Sequence, residues 1–137
     1  MSILIKNGRI ITADADYIAD IFIEGETIST IGKNLTQQAD NIIDAAGKLV
    51  MPGGIDPHVH LDMPFMGTYS SDNYETGTRA ALYGGTTMVI DFVLQTQGKS
   101  LQHALDAWKG RSNNNCVGDY SFHMAVTDFK KKKKKEI

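Results

Sequence analysis

Paired cysteines, long apolar runs and internal repeats are all absent from this chain of 137 residues. The one cysteine, Cys116, excludes an internal disulfide and favours a reducing cytoplasm. We expect Cys116 to be a small buried apolar residue rather than a reactive one. No apolar run approaches the ~20 residues of a membrane span, and residues 1–9 lack the apolar stretch of a secretory signal. We therefore expect a cytoplasmic protein that does not bind membranes.

Charge is unevenly distributed along the chain. The 14 basic and 16 acidic residues give a net charge of −2, but residues 1–129 contain 8 basic residues against 15 acidic ones. The remaining basic residues form the run Lys130–Lys135, so residues 130–137 are expected to be a disordered, solvated tail. A nucleic-acid or anionic-membrane patch is disfavoured, because no aromatic residues or folded basic face accompany the run. A third interpretation of the lysine run is that the reading frame was lost in an adenine-rich stretch of the gene.

Residues 1–51 have the pattern of a small, strand-rich domain. β-branched residues cluster in short runs, with a first strand interrupted at Asn7-Gly8 and a second, over residues 18–23, that turns back into a third. A glycine-containing turn between two such runs is typical of a β-hairpin. Two further short strands are predicted at residues 42–44 and 48–50. We interpret this segment as part of a β-sandwich lobe that carries an unpaired edge or an uncovered apolar face.

Residues 52–129 change to an alternation of strands and helices. The predicted elements that follow the first strand are a helix over residues 72–83 capped by Asp72, a strand over 86–91, a helix capped by Ser100, and a strand over 120–125. This order is that of the first units of a parallel α/β fold. In a closed barrel of this kind, polar site residues gather at the carboxyl ends of the strands.

The strongest candidate for a functional site is His58-Val59-His60. Two residues separated by one position on a strand point to the same face, so both imidazoles are placed to bind one divalent ion such as zinc. Asp56 and Asp62 share that face if the strand stays regular. The apolar residues before the Pro-Gly-Gly turn predict a buried strand. The alternative is a pair of hydrogen-bonded histidines on the surface or in the core.

Residues 52–67, Pro-Gly-Gly-Ile-Asp-Pro-His-Val-His-Leu-Asp-Met-Pro-Phe-Met-Gly, resemble the first barrel strand of the amidohydrolase superfamily. More narrowly, they are similar to the dihydropyrimidinase and D-hydantoinase family of cyclic amidohydrolases. The resemblance extends from Met1 to about Asp128 but covers only the opening third of a family member, so we expect an N-terminal fragment. It implies an incomplete (β/α)₈ barrel, preceded by a lobe that strands from the far C-terminus would complete.

The resemblance also implies a metal-dependent hydrolase that acts on a small cyclic imide or ureide. Family members hold two divalent ions, usually zinc, bridged by a carboxylated lysine, and His58 and His60 match the first-strand ligands of one ion. The bridging lysine, the later histidines and the catalytic aspartate of the family have no counterpart in these 137 residues. We therefore assign no catalytic residue. The family implies a homotetramer as the complete protein.

Two substrate-binding candidates and one argument about specificity follow from the same resemblance. Met63 and Phe65 match the loop that receives the exocyclic substituent of the ring in hydantoinases, and packing of this loop against the barrel rim is the equal alternative. Dihydroorotases and allantoinases usually carry an arginine where this chain has Asp62. An aspartate at that position disfavours an acidic substrate, because like charges repel.

Three further polar residues lie on the predicted elements. Asp91 ends the second strand, where it either supports the metal ligands or bonds to nearby backbone. His123, within the third strand, is predicted to be a core or near-core histidine. His103 on the second helix is predicted to be exposed.

The resemblance implies that the complete protein opens dihydropyrimidine or hydantoin rings to N-carbamoyl amino acids. A non-catalytic dihydropyrimidinase-related adaptor is the alternative, but such proteins lose metal ligands, whereas His58 and His60 are both present. The 137 residues alone are expected to bind zinc weakly, to be inactive, and to aggregate or remain partly disordered.

Overall fold

The computed structural model describes residues 1–129, which fall into two compact units. The first unit is Met1–Pro52, and the second begins at Gly53. The predicted basic tail, residues 130–137, lies outside the described residues. Within residues 1–129, neither helix has the length and apolar character needed to span a bilayer.

A five-stranded sheet makes up the first unit. Its strands are β1 (Ser2–Ile11), β2 (Asp16–Glu24), β3 (Thr27–Gly32), β4 (Asn41–Asp44) and β5 (Leu49–Val50). β1 pairs antiparallel with β2 on one side and parallel with β4 and β5 on the other, and β3 pairs with β2. The predicted hairpin is confirmed, with Gly25 at φ 60° in its turn, where glycine avoids the steric penalty of a Cβ.

The interruption predicted at Asn7-Gly8 is wrong, because β1 continues through both residues with a bulge just before Gly8. Asn7 adopts φ 62°, a left-handed conformation that asparagine tolerates. The buried carboxylate of Asp20 accepts hydrogen bonds from the backbone N–H groups of Asn7 (2.8 Å) and Leu35 (2.9 Å). These bonds, together with Lys6 at 3.7 Å, hold the pKa of Asp20 below its usual value.

The first unit has a small apolar core and several exposed apolar side chains. Ile10, Ala19 and Ile21 are buried together, and Val50 packs against them. Other branched apolar residues of the unit are 46% to 64% exposed, namely Ile18, Ile28, Ile31, Ile42, Ile43 and Leu49. The uncovered apolar surface predicted for this lobe is therefore confirmed within residues 1–129.

Parallel strands and two helices build the second unit. In chain order its elements are β6 (Gly54–Val59), β7 (Pro64–Phe65), β8 (Thr68–Tyr69), α1 (Tyr74–Tyr83), β9 (Thr86–Leu94), α2 (Leu101–Ser112) and β10 (Asp119–Ala125). β6, β9 and β10 form a parallel sheet in the order β10-β9-β6, while β7 and β8 pair as a short antiparallel ribbon. The predicted α/β alternation is confirmed, and with it the fold class of a sheet-rich lobe followed by the first units of a barrel.

Both helices begin close to their predicted positions, but the N-cap of α1 is Asn73 and not Asp72. The side chain of Asn73 accepts a hydrogen bond from the backbone N–H of Thr76 (2.9 Å), and the Thr76 hydroxyl accepts one from the backbone N–H of Asn73 (3.2 Å). Asp72 accepts a hydrogen bond from the same hydroxyl instead. Ser100 caps α2 as predicted, because its hydroxyl accepts from the backbone N–H of His103.

The apolar core of the second unit lies where residues of both helices meet the sheet. Its buried members are Leu61, Tyr74, Val89, Val93, Ala104 and Trp108. By contrast, β6 is exposed over most of its length, so the prediction of a buried strand is wrong. The reason is its position at the end of the strand order, where only β9 flanks it within residues 1–129.

Candidate metal and substrate site

A bulge in β6 sets the direction of the two candidate metal ligands. In the register with β9, Pro57 and His58 together oppose the single residue Ile90. An extra residue of this kind bends a strand locally and redirects its side chains. His60 follows directly after the last residue of the strand.

The rings of His58 and His60 lie side by side. Their centroids are 5.0 Å apart with the ring planes at 86°, and the ring of Phe92 lies 4.5 Å from His58 and 5.5 Å from His60. Both histidines are exposed. Two adjacent, accessible imidazoles are suitable donors for a divalent ion such as zinc. Among residues 1–129, no group of three or more histidine, cysteine, aspartate or glutamate side chains is arranged to bind a metal.

Asp56 and Asp62 do not share the face of the histidines, because the strand is irregular. Asp56 pairs with Val89, which belongs to the core beneath the helices. Asp62 adopts φ 48° after the strand has ended, and its carboxylate lies 4.0 Å from Nε of Arg111 on α2. That Asp62 disfavours an acidic substrate stays a prediction, since the structure shows only that this carboxylate lies beside Arg111 of α2.

Asp91 is completely buried in β9. Its carboxylate accepts hydrogen bonds from the Tyr74 hydroxyl (2.6 Å), from the backbone N–H of Phe92 (2.6 Å) and from the backbone N–H of Leu61 (3.3 Å). The last of these bonds fixes the backbone immediately after His60. Burial, and then the hydrogen bond to Asp91, raise the pKa of Tyr74 well above its ordinary value, so its hydroxyl remains a donor.

An apolar cavity of 580 Å³ lies beside His60. Its lining consists of His60, Met63, Phe65, Thr68, Tyr69, Ser70 and Leu94. The structure thus brings both predicted substrate residues to one cavity, with Met63 at 7% exposure and Phe65 at 63%. The chemistry of such a lining suits an aliphatic or aromatic group.

Arg111 of α2 holds the segment that lines this cavity. Its guanidinium donates a hydrogen bond to the backbone carbonyl of Asp62 at 2.6 Å, and it lies 5.8 Å from the ring of Tyr69 and 5.0 Å from that of Trp108. A planar guanidinium combines hydrogen bonding with stacking on aromatic rings. Sequence reasoning missed Arg111, because a contact between positions 49 residues apart leaves no local pattern.

His123 is exposed, so the prediction of a core histidine is wrong. Its neighbours Phe122 and Met124 pack against the core, and strand alternation turns His123 to the opposite face. There its ring lies 4.9 Å from Phe92, and its Nε2 lies 3.0 Å from the carbonyl oxygen of Pro57. Sequence reasoning also missed Phe92, although alternation along β9 separates it from the buried Asp91 and is the signal that could have found it.

Two remaining predictions concern His103 and Cys116. His103 is exposed on α2, as predicted. Cys116 is partly buried against the core cluster, and burial, with a contribution from Asp91, raises the pKa of its thiol to about 11. The thiol is therefore protonated at neutral pH, which agrees with the prediction of an unreactive cysteine.

The chain is similar to hydantoinases and dihydropyrimidinases along almost its whole length. D-hydantoinase of Streptomyces coelicolor is 45% identical over 139 residues, which cover 98% of this chain and 30% of the relative. D-hydantoinase of Geobacillus stearothermophilus is 48% identical over 128 residues, covering 93% of this chain and 27% of the relative. The crystal structure of dihydropyrimidinase from Brevibacillus agri matches with a TM-score of 0.96 and 46% identity, over 99% of this chain and 30% of that one.

The chain thus spans about 30% of the length of these relatives. The model of the amidohydrolase family matches residues 49–128, which contain the bulged strand, both histidines, the cavity and Asp91. The chain therefore belongs to the amidohydrolase family.

Proposed function

We propose that the whole protein is a metal-dependent cyclic amidohydrolase, which opens dihydropyrimidine or hydantoin rings to N-carbamoyl amino acids. The observation that carries the proposal is the placement of His58 and His60 side by side on Phe92, next to an apolar cavity that includes His60. A donor set for a metal thus adjoins a space for an organic ring. The names of the similar proteins support the choice of a cyclic amide as substrate.

His58 and His60 would hold one divalent ion. Their side chains fit this role, because imidazole nitrogens bind zinc readily and both rings are exposed on the same side. A bound divalent ion supplies hydroxide at neutral pH, since it lowers the pKa of water to about 7. Two histidines satisfy only part of a tetrahedral shell, so we expect the 137 residues alone to bind Zn²⁺ weakly and to hydrolyse nothing.

Asp91 would act as a positioning residue for this pair. Its hydrogen bonds to Leu61 and Tyr74 connect the residue after His60 to β9 and α1. Groups that orient metal ligands in this way affect metal affinity without touching the ion. The sequence predicts two alternative roles for Asp91, support of the metal ligands or bonding to nearby backbone. In this proposal the two roles coincide, because the hydrogen bond from the backbone of Leu61 is what supports His60.

Met63 and Phe65 would receive the substituent that projects from the substrate ring. Both line the cavity beside His60, together with Leu94. Burial of an apolar substituent there stabilises the complex by about 25 cal/mol for each Å² removed from water. The 63% exposure of Phe65 leaves its ring with surface to contribute to such a contact.

Three finer features belong to the same proposal. Zinc is proposed as the ion because two imidazole donors suit it, a homotetramer is proposed from the family resemblance, and a cytoplasmic location is proposed because Cys116 is a free thiol within residues 1–129. The competing proposal is a non-catalytic adaptor related to dihydropyrimidinase. The pair of accessible histidines favours the enzyme, because an adaptor has no need of a metal-binding pair.

Titration of the 137-residue chain with Zn²⁺, followed by NMR of the imidazole rings, tests the metal assignment. We expect the His58 and His60 signals to shift together, and His58→Ala to weaken Zn²⁺ binding by about tenfold or more. His103→Ala is the matched control, because His103 is also exposed but lies on α2. Equal Zn²⁺ affinity of the two variants would refute the metal assignment and favour the adaptor.

The cavity assignment is tested with 5-phenylhydantoin as the probe, by measuring its binding to the Zn²⁺-loaded chain. We expect Phe65→Ser to weaken binding several-fold, because the variant loses apolar surface beside His60. Met66→Ser is the control, since Met66 is 89% exposed and does not line the cavity. An unchanged affinity in Phe65→Ser would show that Phe65 only packs the loop.

A direct assay of ring opening completes the test. Dihydrouracil and 5-phenylhydantoin are incubated with the 137-residue chain and Zn²⁺, and formation of the N-carbamoyl product is measured. We expect no turnover, because residues 1–129 contain no cluster of three or more metal-binding side chains and no residue has been assigned as the base. Turnover that disappears in His58→Ala would show that these residues suffice for catalysis.

A further inference from the structure

The bulge in β6 interrupts the regular backbone hydrogen bonding between β6 and β9. Pro57 and His58 share one opposing residue, so one of them is outside the regular pairing with β9. A proline has no backbone N–H, and the backbone N–H of His58 donates to the carboxylate of Asp56 at 3.1 Å, so the carbonyl of Pro57 is the remaining group at the bulge. The residue that follows this carbonyl is His58, the first candidate metal ligand.

The side chain of His123 forms a hydrogen bond with this carbonyl. Its Nε2 lies 3.0 Å from the carbonyl oxygen of Pro57, although β9 separates β10 from β6 in the sheet. The ring spans this gap across Phe92, whose centroid is 4.9 Å from that of His123 and 4.5 Å from that of His58. A chain of contacts therefore connects β10 with the first candidate ligand.

The chemistry of the contact fixes the proton on the His123 ring. A carbonyl oxygen only accepts hydrogen bonds, so Nε2 must carry the hydrogen and donate it. In the neutral ring this selects the tautomer with hydrogen on Nε2 and a free lone pair on Nδ1. In the charged ring Nε2 still donates, and the contact persists in either state.

We propose that His123 is a positioning residue for His58, which it holds by donating a hydrogen bond to the carbonyl of Pro57. This inference rests on the proposed function of His58 and His60 as a metal-binding pair. A peptide unit fixed on the N-terminal side of His58 restricts the backbone from which that imidazole projects. Asp91 restricts the backbone after His60 through Leu61, so the pair is held at both ends.

The exposure of His123 separates this role from a general contribution to stability. The side chain lies outside the buried core, so its removal creates no cavity there. Two substitutions separate the effect of the N–H donor of His123 from the effect of its aromatic ring. His123→Gln keeps a side-chain N–H but loses the ring, whereas His123→Phe keeps an aromatic ring but has no donor.

The first measurement is made on the metal-free, ¹⁵N-labelled chain, with long-range proton–nitrogen NMR of the imidazoles. We expect neutral His123 to carry its hydrogen on Nε2. We also expect the backbone amide signal of His58 to move in His123→Phe and to stay near its original position in His123→Gln. Hydrogen on Nδ1, or an unmoved His58 amide in His123→Phe, would overturn the proposal.

The second measurement compares the Zn²⁺ affinity of the same chains. We expect His123→Phe to bind Zn²⁺ about fivefold more weakly, which is less than the loss for groups bonded directly to a ligand, and His123→Gln to stay within about twofold. Urea unfolding midpoints should match the original in both variants. Equal losses in the two variants would indicate that His123 binds the ion itself, and would overturn the positioning role.

The two measurements separate this inference from the proposed function. If the unsubstituted chain does not bind Zn²⁺ through His58 and His60, the proposed function fails even when the bond between His123 and Pro57 is observed. If that chain binds Zn²⁺ as expected and His123→Phe binds it equally well, the proposed function stands and the role of His123 is refuted.

Discussion

Tyr74 and Asp91 form a buried, hydrogen-bonded pair in the second unit. A buried carboxylate is tolerated only when donors surround it, and the Tyr74 hydroxyl is one of three donors around Asp91. We predict that Tyr74→Phe lowers the free energy of unfolding by about 1–3 kcal/mol, because it leaves the carboxylate short of a donor.

Urea denaturation measures this effect, with Tyr83→Phe as the matched control. Tyr83 is 90% exposed, so removal of its hydroxyl should change the free energy of unfolding by less than about 0.5 kcal/mol. Equal effects in the two variants would contradict the importance of the buried hydrogen bond.

Because of Asp20, the stability of the first unit is expected to depend on pH. Its pKa in the folded chain lies below the ordinary 3.8, chiefly because of the hydrogen bond from the backbone of Asn7. The folded state therefore binds the proton less readily than the unfolded state, and the stabilisation is present above pH ~4 and is lost as the pH falls through the folded pKa. We predict that Asp20→Asn reduces stability at pH 7 and flattens the loss of stability between pH 5 and 2.

Unfolding of the chain in urea at several pH values measures this prediction. Asp14→Asn is the control, because Asp14 is an exposed carboxylate of the same unit. Parallel pH curves for the original chain and Asp20→Asn would rule out Asp20 as a source of the acid sensitivity.

The proximity of the His58 and His60 side chains was predictable from the sequence, but the directions of their neighbours were not. His58 and His60 were found from their spacing and surroundings, and the rings do lie together. The predicted sharing of their face by Asp56 and Asp62 failed, because it assumed an unbroken two-residue period. A bulge depends on pairing with β9, which no short stretch of sequence around the histidines records.

Among the elements, α2 and the segment with β7 and β8 are coupled through Arg111. Its guanidinium bonds to the carbonyl of Asp62 and contacts the rings of Tyr69 and Trp108. We predict that Arg111→Met loosens the segment between β6 and α1, and that chymotrypsin then cleaves after Phe65 or Tyr69 several-fold faster. Limited proteolysis followed by mass spectrometry identifies the sites and rates.

Arg79→Met is the control for this experiment. Arg79 is an exposed arginine of α1 whose ion pair is with Glu75 four residues earlier, and such pairs contribute only ~0.3–0.5 kcal/mol. Cleavage at the same rate in both variants would show that Arg111 does not hold the segment.

Element types were predicted more reliably than their ends and exposure. The helix after Ser100 and the last strand were predicted correctly, since a cap and a periodic pattern are local properties. The cap at Asp72 was misplaced by one residue, because both Asp72 and Asn73 can cap a helix and Thr76 completes a capping box only with Asn73. The burial of β6 was overestimated, since burial depends on neighbours supplied by distant residues.

At the scale of the whole molecule, the exposed isoleucines of the first unit are expected to promote association between chains. β4 is a terminal strand of its sheet, and its Ile42 and Ile43 are 64% and 47% exposed. An apolar terminal strand offers unpaired backbone groups to a second chain. We predict concentration-dependent association, which light scattering detects as a rise in average mass.

Ile42→Lys should reduce this association, because a charged side chain on a terminal strand opposes pairing with another chain. Gln38→Lys adds the same charge at an exposed position outside the strands and should leave the association unchanged. A single sharp monomer peak for the unsubstituted chain at all concentrations would contradict the prediction.

The bulge at Pro57 has a consequence for protein engineering. A designer who grafts residues 54–65 onto a foreign barrel would transfer both imidazoles and the carbonyl oxygen of Pro57, but not the side chain that bonds to this oxygen. In this fold the hydrogen bond to that oxygen comes from His123, which lies two strands away in the sheet and contacts the ring of Phe92. The smallest transplantable unit is therefore three adjacent strands, and a host barrel would have to accept a ring at each of those two distant positions.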